Sequence, residues 1–577
     1  MSNSPGGVSP QPPPSLEKRL PIALGLMMLV LLVSQYVFKP APGPKPVKPI
    51  NDNQAAQVTQ KPAAAATQAL PTTTAPMAAS GAEVQAASET TTEIDTDLYH
   101  IVFSNRGAVA KSWVLKQFRD DAGRPLQVIG TPSADVPLPF SIEITGGQKP
   151  AFDPNGVLYR AENVDGGLGV NYIYSDGKTT VRKSFLFTKD SYLSQIRSAV
   201  LQNGVPISSL LMWRGGFGDQ KVRNAYATEH TVRYDATAGK LITKTAKDAK
   251  NGPVTDTGNY TFGGLEDNFF AAVALPIEGS SLEVRTYSDQ VKAPGEEKPT
   301  PFAGMGLSTG AENNFSLFVG PKDIDVLRQV NPKLAQIIDW GFFGIIAKPL
   351  FLWLNWVKDN WTHNYGWAII LVTLIINLVL FPFRLTSLKS ARKMQKLQPQ
   401  IKAINDRYKN VGLRDPKKAE QNQEVMELYK REGVNPVGGC LPMLVQLPFF
   451  YTFYRVLSIA IELRHAPWLW VPDLSSPESL PIHLLPIILI GTQFLSQKLT
   501  PAAGVDPNQQ KLMMFMPLMF GFMFYYASAG LVLYWLTGNL VGIVQQLIIN
   551  RFMPTPAPVA APAPAAAKAP VKRAVKR

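Results

Sequence analysis

Hydrophobic and polar positions divide this chain into zones of different period. Leu20 to Phe38 carries no charge and follows Lys18 and Arg19 directly. The run exceeds the roughly 7–15 residues of a cleavable signal core, and no A-x-A site follows it, so it predicts an uncleaved membrane anchor at 20–38 behind a cytoplasmic segment, 1–19. Residues 39–92 are Pro, Ala, Thr and Gln with almost no aromatics, a composition that cannot bury enough surface to fold and reads as a disordered linker. From 93 to 330 short β-type runs alternate with Gly, Asn-Gly and Asp-Gly turns; Tyr99–Phe103, Thr180–Phe187 and Leu282–Tyr287 are examples. This pattern predicts a large β-sandwich.

The period then changes. Leu334–Val357 is rich in aromatics but holds Asp339 and Lys348-Pro349, and predicts an amphipathic helix lying in the membrane surface rather than across it. Five apolar segments follow at 366–383, 440–461, 481–497, 512–528 and 530–550. Each approaches the length needed to cross about 30 Å of hydrocarbon. With the anchor they predict six spans. Between the first two of these five, residues 385–433 repeat Ala391, Met394, Leu397, Ile401, Ile404 and Tyr408 at spacings of three and four, then Val425, Leu428 and Tyr429 beyond a break. That seam predicts a helical hairpin.

Charge orients the spans. The hairpin is dense in Lys and Arg, the loop Leu463–Leu480 holds only Arg464, and the tail at 553–577 adds Lys568, Lys572, Arg573, Lys576 and Arg577. All basic zones then share one side, which the positive-inside rule makes the cytoplasm, with the β-domain outside. The same placement explains the net charge of +14 without nucleic acid. A single cysteine, Cys440, permits no internal disulfide and no thiolate zinc site, and five scattered histidines show no ligand spacing. With no phosphate-binding loop and no nucleophile elbow, no metal, cofactor or catalytic residue is assigned.

Polar residues inside apolar segments are the informative ones, because an ionisable group there costs at least about 2.5 kcal/mol and normally faces protein or a wet cavity. Thr373, Asn377 and Arg384 lie four and seven residues apart on one helical face. Gln446, Arg455, Ser458 and Glu462 mark the third span, Gln493 the fourth, and Tyr534, Thr537, Asn539, Gln545 and Gln546 the sixth. For the amides, hydrogen bonding between helices competes with a functional role; for Arg384, at the cytoplasmic end, snorkelling is the favoured account.

The run Asn435-Pro436-Val437-Gly438-Gly439-Cys440-Leu441-Pro442, continuing to Pro448, resembles the segment opening the third span in the YidC/Oxa superfamily of membrane insertases. Leu397-Gln398-Pro399, Glu462-Leu463-Arg464, Asp506-Pro507 and Gly530–Trp535 with Asn539-Leu540 and Gln545-Gln546 extend the likeness over 319–551. The resemblance implies a multi-pass bacterial inner-membrane protein with a periplasmic β-supersandwich and five core spans. It also implies a hydrophilic groove in the inner leaflet that receives polar segments of nascent membrane proteins and releases their helices into lipid along the third and fifth spans. Partners so implied are nascent chains, the Sec translocon, membrane lipids and, through the basic tail and hairpin, the ribosome. No nucleotide is consumed. Candidate groove residues are Thr373, Asn377, Arg384, Gln446, Arg455, Gln493 and Tyr534. The family usually places a basic residue where Asn377 stands, so either Asn377 serves there as an uncharged hydrogen-bonding substitute, or the charge comes from elsewhere, with Arg455 the stronger candidate and Arg384 the weaker.

Two other readings compete. A secondary transporter or channel would show paired repeats, and no matching halves are visible. A tethered carbohydrate-binding domain would need converging carboxylates; Asp219, Glu266 and Asp267 are read instead as turn or surface residues.

Overall fold

The computed structural model describes residues 82–130, 136–219, 229–277, 279–291, 299–408, 415–434, 441–499 and 507–552. They form two compact units that divide between Asp339 and Trp340. The anchor at 20–38, most of the linker, the motif Asn435–Cys440 and the tail lie outside the described residues.

The first unit is a β-sandwich. A large antiparallel sheet, eleven strands among the described residues, faces one of five, and a third of four strands adjoins them. The strand Leu193–Gln202 runs between Thr179–Phe187 and Glu312–Pro321, with Ile196 opposite both Phe185 and Phe315. Alternation decides what enters the core: Thr179, Val181, Lys183, Phe185 and Phe187 point inward from one strand, their neighbours outward. Tyr99, Phe103, Trp113, Phe140, Phe185, Phe187 and Trp213 pack ring on ring, for instance Trp113 on Trp213 at 5.8 Å between centroids. Lys183 sits among them. Its ammonium donates to the Gly107 and Phe140 carbonyls at 2.6 and 2.7 Å and to that of Ala108 at 3.2 Å, so each of its three protons meets a backbone oxygen.

Two expectations change here. The fold begins before residue 93, since Glu83–Val84 pairs with Ser175–Asp176 and Thr91 pairs with Ser104; backbone pairing needs no apolar side chains, so composition hid these strands in the linker. Asp219, Glu266 and Asp267 are buried rather than on the surface. Glu266 meets Lys322 at 2.9 Å and His230 at 2.8 Å. Asp267 stands in a turn, as its sequence suggests, but its carboxylate accepts from the backbone N–H groups of Asp219, Phe269 and Phe270. A short helix, α1 (Ile324–Val330), follows the last strand, its first turn capped by Asp323.

The second unit is helical: α2 (Gly344–Val357), α3 (Tyr365–Val379), α4 (Phe381–Lys396), α5 (Gln398–Arg407), α6 (Lys417–Arg431), α7 (Leu441–Ile459), α8 (Leu484–Leu499), α9 (Pro507–Tyr525) and α10 (Ala529–Phe552). The five apolar segments carry α3, α7, α8, α9 and α10. Among the described residues α10 alone is long and apolar enough to cross a membrane unaided, and α8 is apolar but only 16 residues long. The stretch Leu334–Val357 is not one helix. Asn331 caps a 3-10 turn at Pro332–Ile337, Gly341 takes φ +70°, and α2 starts afresh at Gly344 in the second unit. The chain from Gly344 to Thr362 meets α3 at 113°, through His363 in the left-handed region.

The seam residues Leu397, Ile401 and Ile404 form one apolar cluster with Leu428, Tyr429 and Val434, flanked by Met394, Tyr408 and Val425. α5 and α6 are also tied by Gln421 donating to Asn405 at 2.6 Å and Tyr408 donating to Glu424 at 3.0 Å.

Candidate functional site

The polar stripe on α3 and α4 faces α10. Small residues make this possible: Gly538 and Gly542 stand one helical turn apart, and Cβ-free positions let the facing helix come close. A Cβ on Gly538 would lie 4.0 Å from the Asn377 amide nitrogen, and one on Gly542 would lie 2.7 Å from both terminal nitrogens of Arg384. Asn377 donates back to the Thr373 carbonyl at 2.8 Å, while its own carbonyl accepts from Gln545 at 3.3 Å. The same Gln545 accepts from Arg384 at 3.1 Å, and a second guanidinium nitrogen donates to the Gly542 carbonyl at 3.3 Å. About two turns further along α4, Arg392 donates to Asn550 at 2.7 Å, and Gln546 to the same Asn550 oxygen at 3.0 Å.

Arg384 is thus held by α10 as well as by its own helix. It is half-buried and turned onto α10, because an amide oxygen and a carbonyl exposed by a glycine offer it acceptors inside the bundle. Its acceptors are neutral, and α3, α4 and α10 contain no Asp or Glu at all. Among the described residues no carboxylate pairs with the guanidinium, whose hydrogen-bond partners are dipoles.

The other sequence candidates lie elsewhere. Tyr534 is buried and stacks on Phe453 of α7, ring centroids 4.2 Å apart. Gln446 is exposed and Gln493 half-buried; beside Gln493, Thr492 accepts a long 3.5 Å contact from Asn539. The stem of Arg455 lies against Gly341, 3.6 Å from where a Cβ would be, next to Tyr451. It belongs to the end of α7 that meets the approach to α2, not to the Asn377–Arg384–Gln545 set. Pro448 lies inside α7, and Pro442 in its first turn. Gly542, Asn550 and Arg392 were not singled out by sequence; Gly538-x-x-x-Gly542 is a signal of close helix packing that finds Gly542, and none marks the pairing of Arg392 with Asn550.

Residues 356–556 match the family described as 60Kd inner membrane protein, and residues 91–353 match the YidC periplasmic domain. The membrane protein insertase YidC of Syntrophus aciditrophicus (strain SB) is 33% identical over 571 residues, covering 93% of this chain and 100% of that protein. The chain belongs to the YidC family of membrane protein insertases. The YidC of Geobacter sp. (strain M21) is 35% identical over 470 residues, 79% of this chain and 85% of its own. Among solved structures, an active YidC insertase with its first transmembrane domain resolved covers 81% of this chain and 94% of that one, at 21% identity and a TM-score of 0.34. A galactose mutarotase-like protein from Lactobacillus casei ATCC 334 covers 40% of this chain and 100% of its own, at 13% identity and a TM-score of 0.25. YidC proteins are inner-membrane proteins with a periplasmic domain, and the curated relatives are named insertases, a role that involves no enzymatic turnover.

Proposed function

We propose that this chain inserts nascent membrane proteins through a hydrophilic groove between α3, α4 and α10, open to the cytoplasm and to the inner leaflet. The observation that carries the reading is Arg384, a cation inside an apolar bundle whose hydrogen-bond acceptors are neutral. At about 1.5 Å per residue, Asn377 lies roughly 18 Å and Arg384 roughly 28 Å past Tyr365. In a core about 30 Å thick that places both in the inner half. A polar segment entering there has a shorter apolar distance left to cross, and Arg384 attracts its acidic residues. Of the two arginines, Arg384 is better placed than Arg455 to supply the charge that Asn377 lacks.

Release into lipid follows α7 and α9. On α9 the exposed side chains Phe515, Leu518, Met519, Phe522 and Met523 recur at spacings of three and four, an apolar stripe on the outside of the helix that Tyr526, just past its end, prolongs. Such a stripe suits contact with lipid or with a departing substrate helix. In this reading there are six spans, both termini are cytoplasmic, α2 lies in the outer interface, and the α5–α6 pair stands in the cytoplasm. The Sec translocon and the ribosome, through the basic hairpin and tail, are the proposed partners, and no nucleotide is consumed.

The test is reconstitution of the purified protein in liposomes with a single-span substrate carrying a short acidic outer segment. Protected, correctly oriented substrate without ATP is the expected result, with loss in Arg384→Gln. Solute flux without insertion would instead favour a transporter.

A further inference from the structure

The segment joining α7 to α8 is built as a rigid cap on three helices. Asn364, at the start of α3, donates to the Pro467 carbonyl at 2.7 Å. Ala529 and Gly530, at the start of α10, donate to the carbonyls of Ser476 and Leu474 at 2.8 and 2.9 Å. The buried Glu478 accepts from the Leu485 backbone at the start of α8 at 2.8 Å, and from the Trp470 indole at 2.6 Å. Gly366 has no Cβ because one would overlap the Trp468 ring, which also meets Trp367 edge to face at 5.7 Å. The segment is thus fixed at the common end of α3, α8 and α10.

Its tip has the wrong chemistry for water. Trp468 and Val471 exchange both backbone hydrogen bonds at 2.8 Å, closing a two-residue hairpin turn with Leu469 and Trp470 at its apex. Leu469 takes φ +48°, a first-position conformation that a two-residue turn normally gives to glycine. A bare aqueous turn gains nothing from an apolar side chain there, yet Leu469 is 65% exposed. Ile482, also 65% exposed, and the exposed Trp470 and Leu480 lie on the same segment, with the exposed Leu484 opening α8 just beyond it. Five of the chain's ten tryptophans, Trp356, Trp361, Trp367, Trp468 and Trp470, fall at this end of the helices or on its approach. Indole rings favour the boundary between headgroups and acyl chains.

We infer that the 468–471 hairpin is a membrane-docking element whose apex, Leu469 and Trp470, enters the interfacial layer of the outer leaflet and fixes the depth of α3, α8 and α10. The occupant is lipid because the apex is continuous with helices that themselves meet lipid. The inference rests on the spanning reading of those helices.

The full-length protein with Cys440→Ala, carrying an environment-sensitive fluorophore at Leu469→Cys or, separately, at Ile482→Cys, is reconstituted in liposomes. Nitroxide-bearing lipids are added as quenchers from within the bilayer and iodide from water. Docking predicts blue-shifted emission, stronger quenching by shallow than by deep nitroxides, and little effect of iodide at both positions. Leu469→Asp should shift the Ile482 reporter to the red. Iodide quenching without lipid quenching overturns the inference, as does protection from both, which would mark a protein partner or a second copy. A fluorophore at Leu374→Cys, exposed midway along α3, is the control. If deep nitroxides fail to quench it, the spanning reading itself falls; if they quench it but not Leu469, only the docking is wrong.

Discussion

Gly542→Ala moves the Arg384 guanidinium without deleting it. The new methyl would stand 2.7 Å from both terminal nitrogens and 3.1 Å from Cζ, well inside ordinary contact. The atoms in the way are the far end of a flexible side chain, so the arginine yields and the helices need not part. A retreat of about 1 Å stretches the bonds to Gln545 and Gly542, now 3.1 and 3.3 Å, beyond hydrogen-bonding range. Hydrogen bonds to a charged group contribute about 1.5–3 kcal/mol each when fully buried. For a half-buried group that regains some water, about 1–3 kcal/mol in all is reasonable, or roughly 5- to 150-fold in occupancy of the docked position. Initial insertion rates in proteoliposomes, for one substrate with an acidic outer segment and a matched neutral one, give the readout. The acidic substrate should slow by about tenfold and the neutral one much less, with thermal stability within about 3 kcal/mol of the parent. Gly538→Ala is the internal control, because its methyl meets Asn377 at 4.0 Å, an ordinary contact, and should change neither rate. If Gly542→Ala and Arg384→Gln both insert the two substrates at the parent rate, the polar set only binds helices together and the groove assignment fails.

In the sandwich, Lys183→Met should destabilise by about 3 kcal/mol, since three buried carbonyls lose their donor and Ala108 and Phe140, both at positive φ, lose what holds them. Denaturant unfolding followed by tryptophan fluorescence reads this; an unchanged midpoint contradicts it. Burial alone would raise the pKa of Glu266, but Lys322 and His230 more than reverse this and bring it down to about 2 from an ordinary 4.5. A depressed carboxyl stabilises fully above its unfolded pKa, so up to about 3 kcal/mol should be lost as pH falls from 4.5 through about 2, and Glu266→Gln should remove that limb from the pH dependence of unfolding. Single-cysteine labelling should reach Lys402 and Lys568 from the cytoplasm and Gly239 from the periplasm; periplasmic labelling of position 402 would end the six-span topology. Arg455→Ala should leave the preference for acidic substrates intact, and its loss would return the groove charge to α7.

Much of this protein is legible in its residues alone. Period and composition separate the β-domain from the helical region because alternation by two and long uncharged runs are local properties that need no knowledge of partners. The seam from Met394 to Tyr408 is readable for the same reason, and its residues do pack with Val425, Leu428 and Tyr429. The motif around Pro442 and Pro448 points to the family that the relatives establish. What local pattern cannot decide is which polar groups meet. Thr373, Asn377 and Arg384 share a face by spacing alone, but that Arg384 meets α10 depends on Gly542, 158 residues away, which leaves room and an accessible carbonyl. Arg455 looks equivalent by its position within a span, and only packing shows it beside Gly341. Glu266 likewise reads as a turn or surface residue, since His230 and Lys322, which pair with it, come from other parts of the chain. Secondary structure follows from neighbours in sequence; the destination of a charge depends on neighbours in space, and those the fold alone supplies.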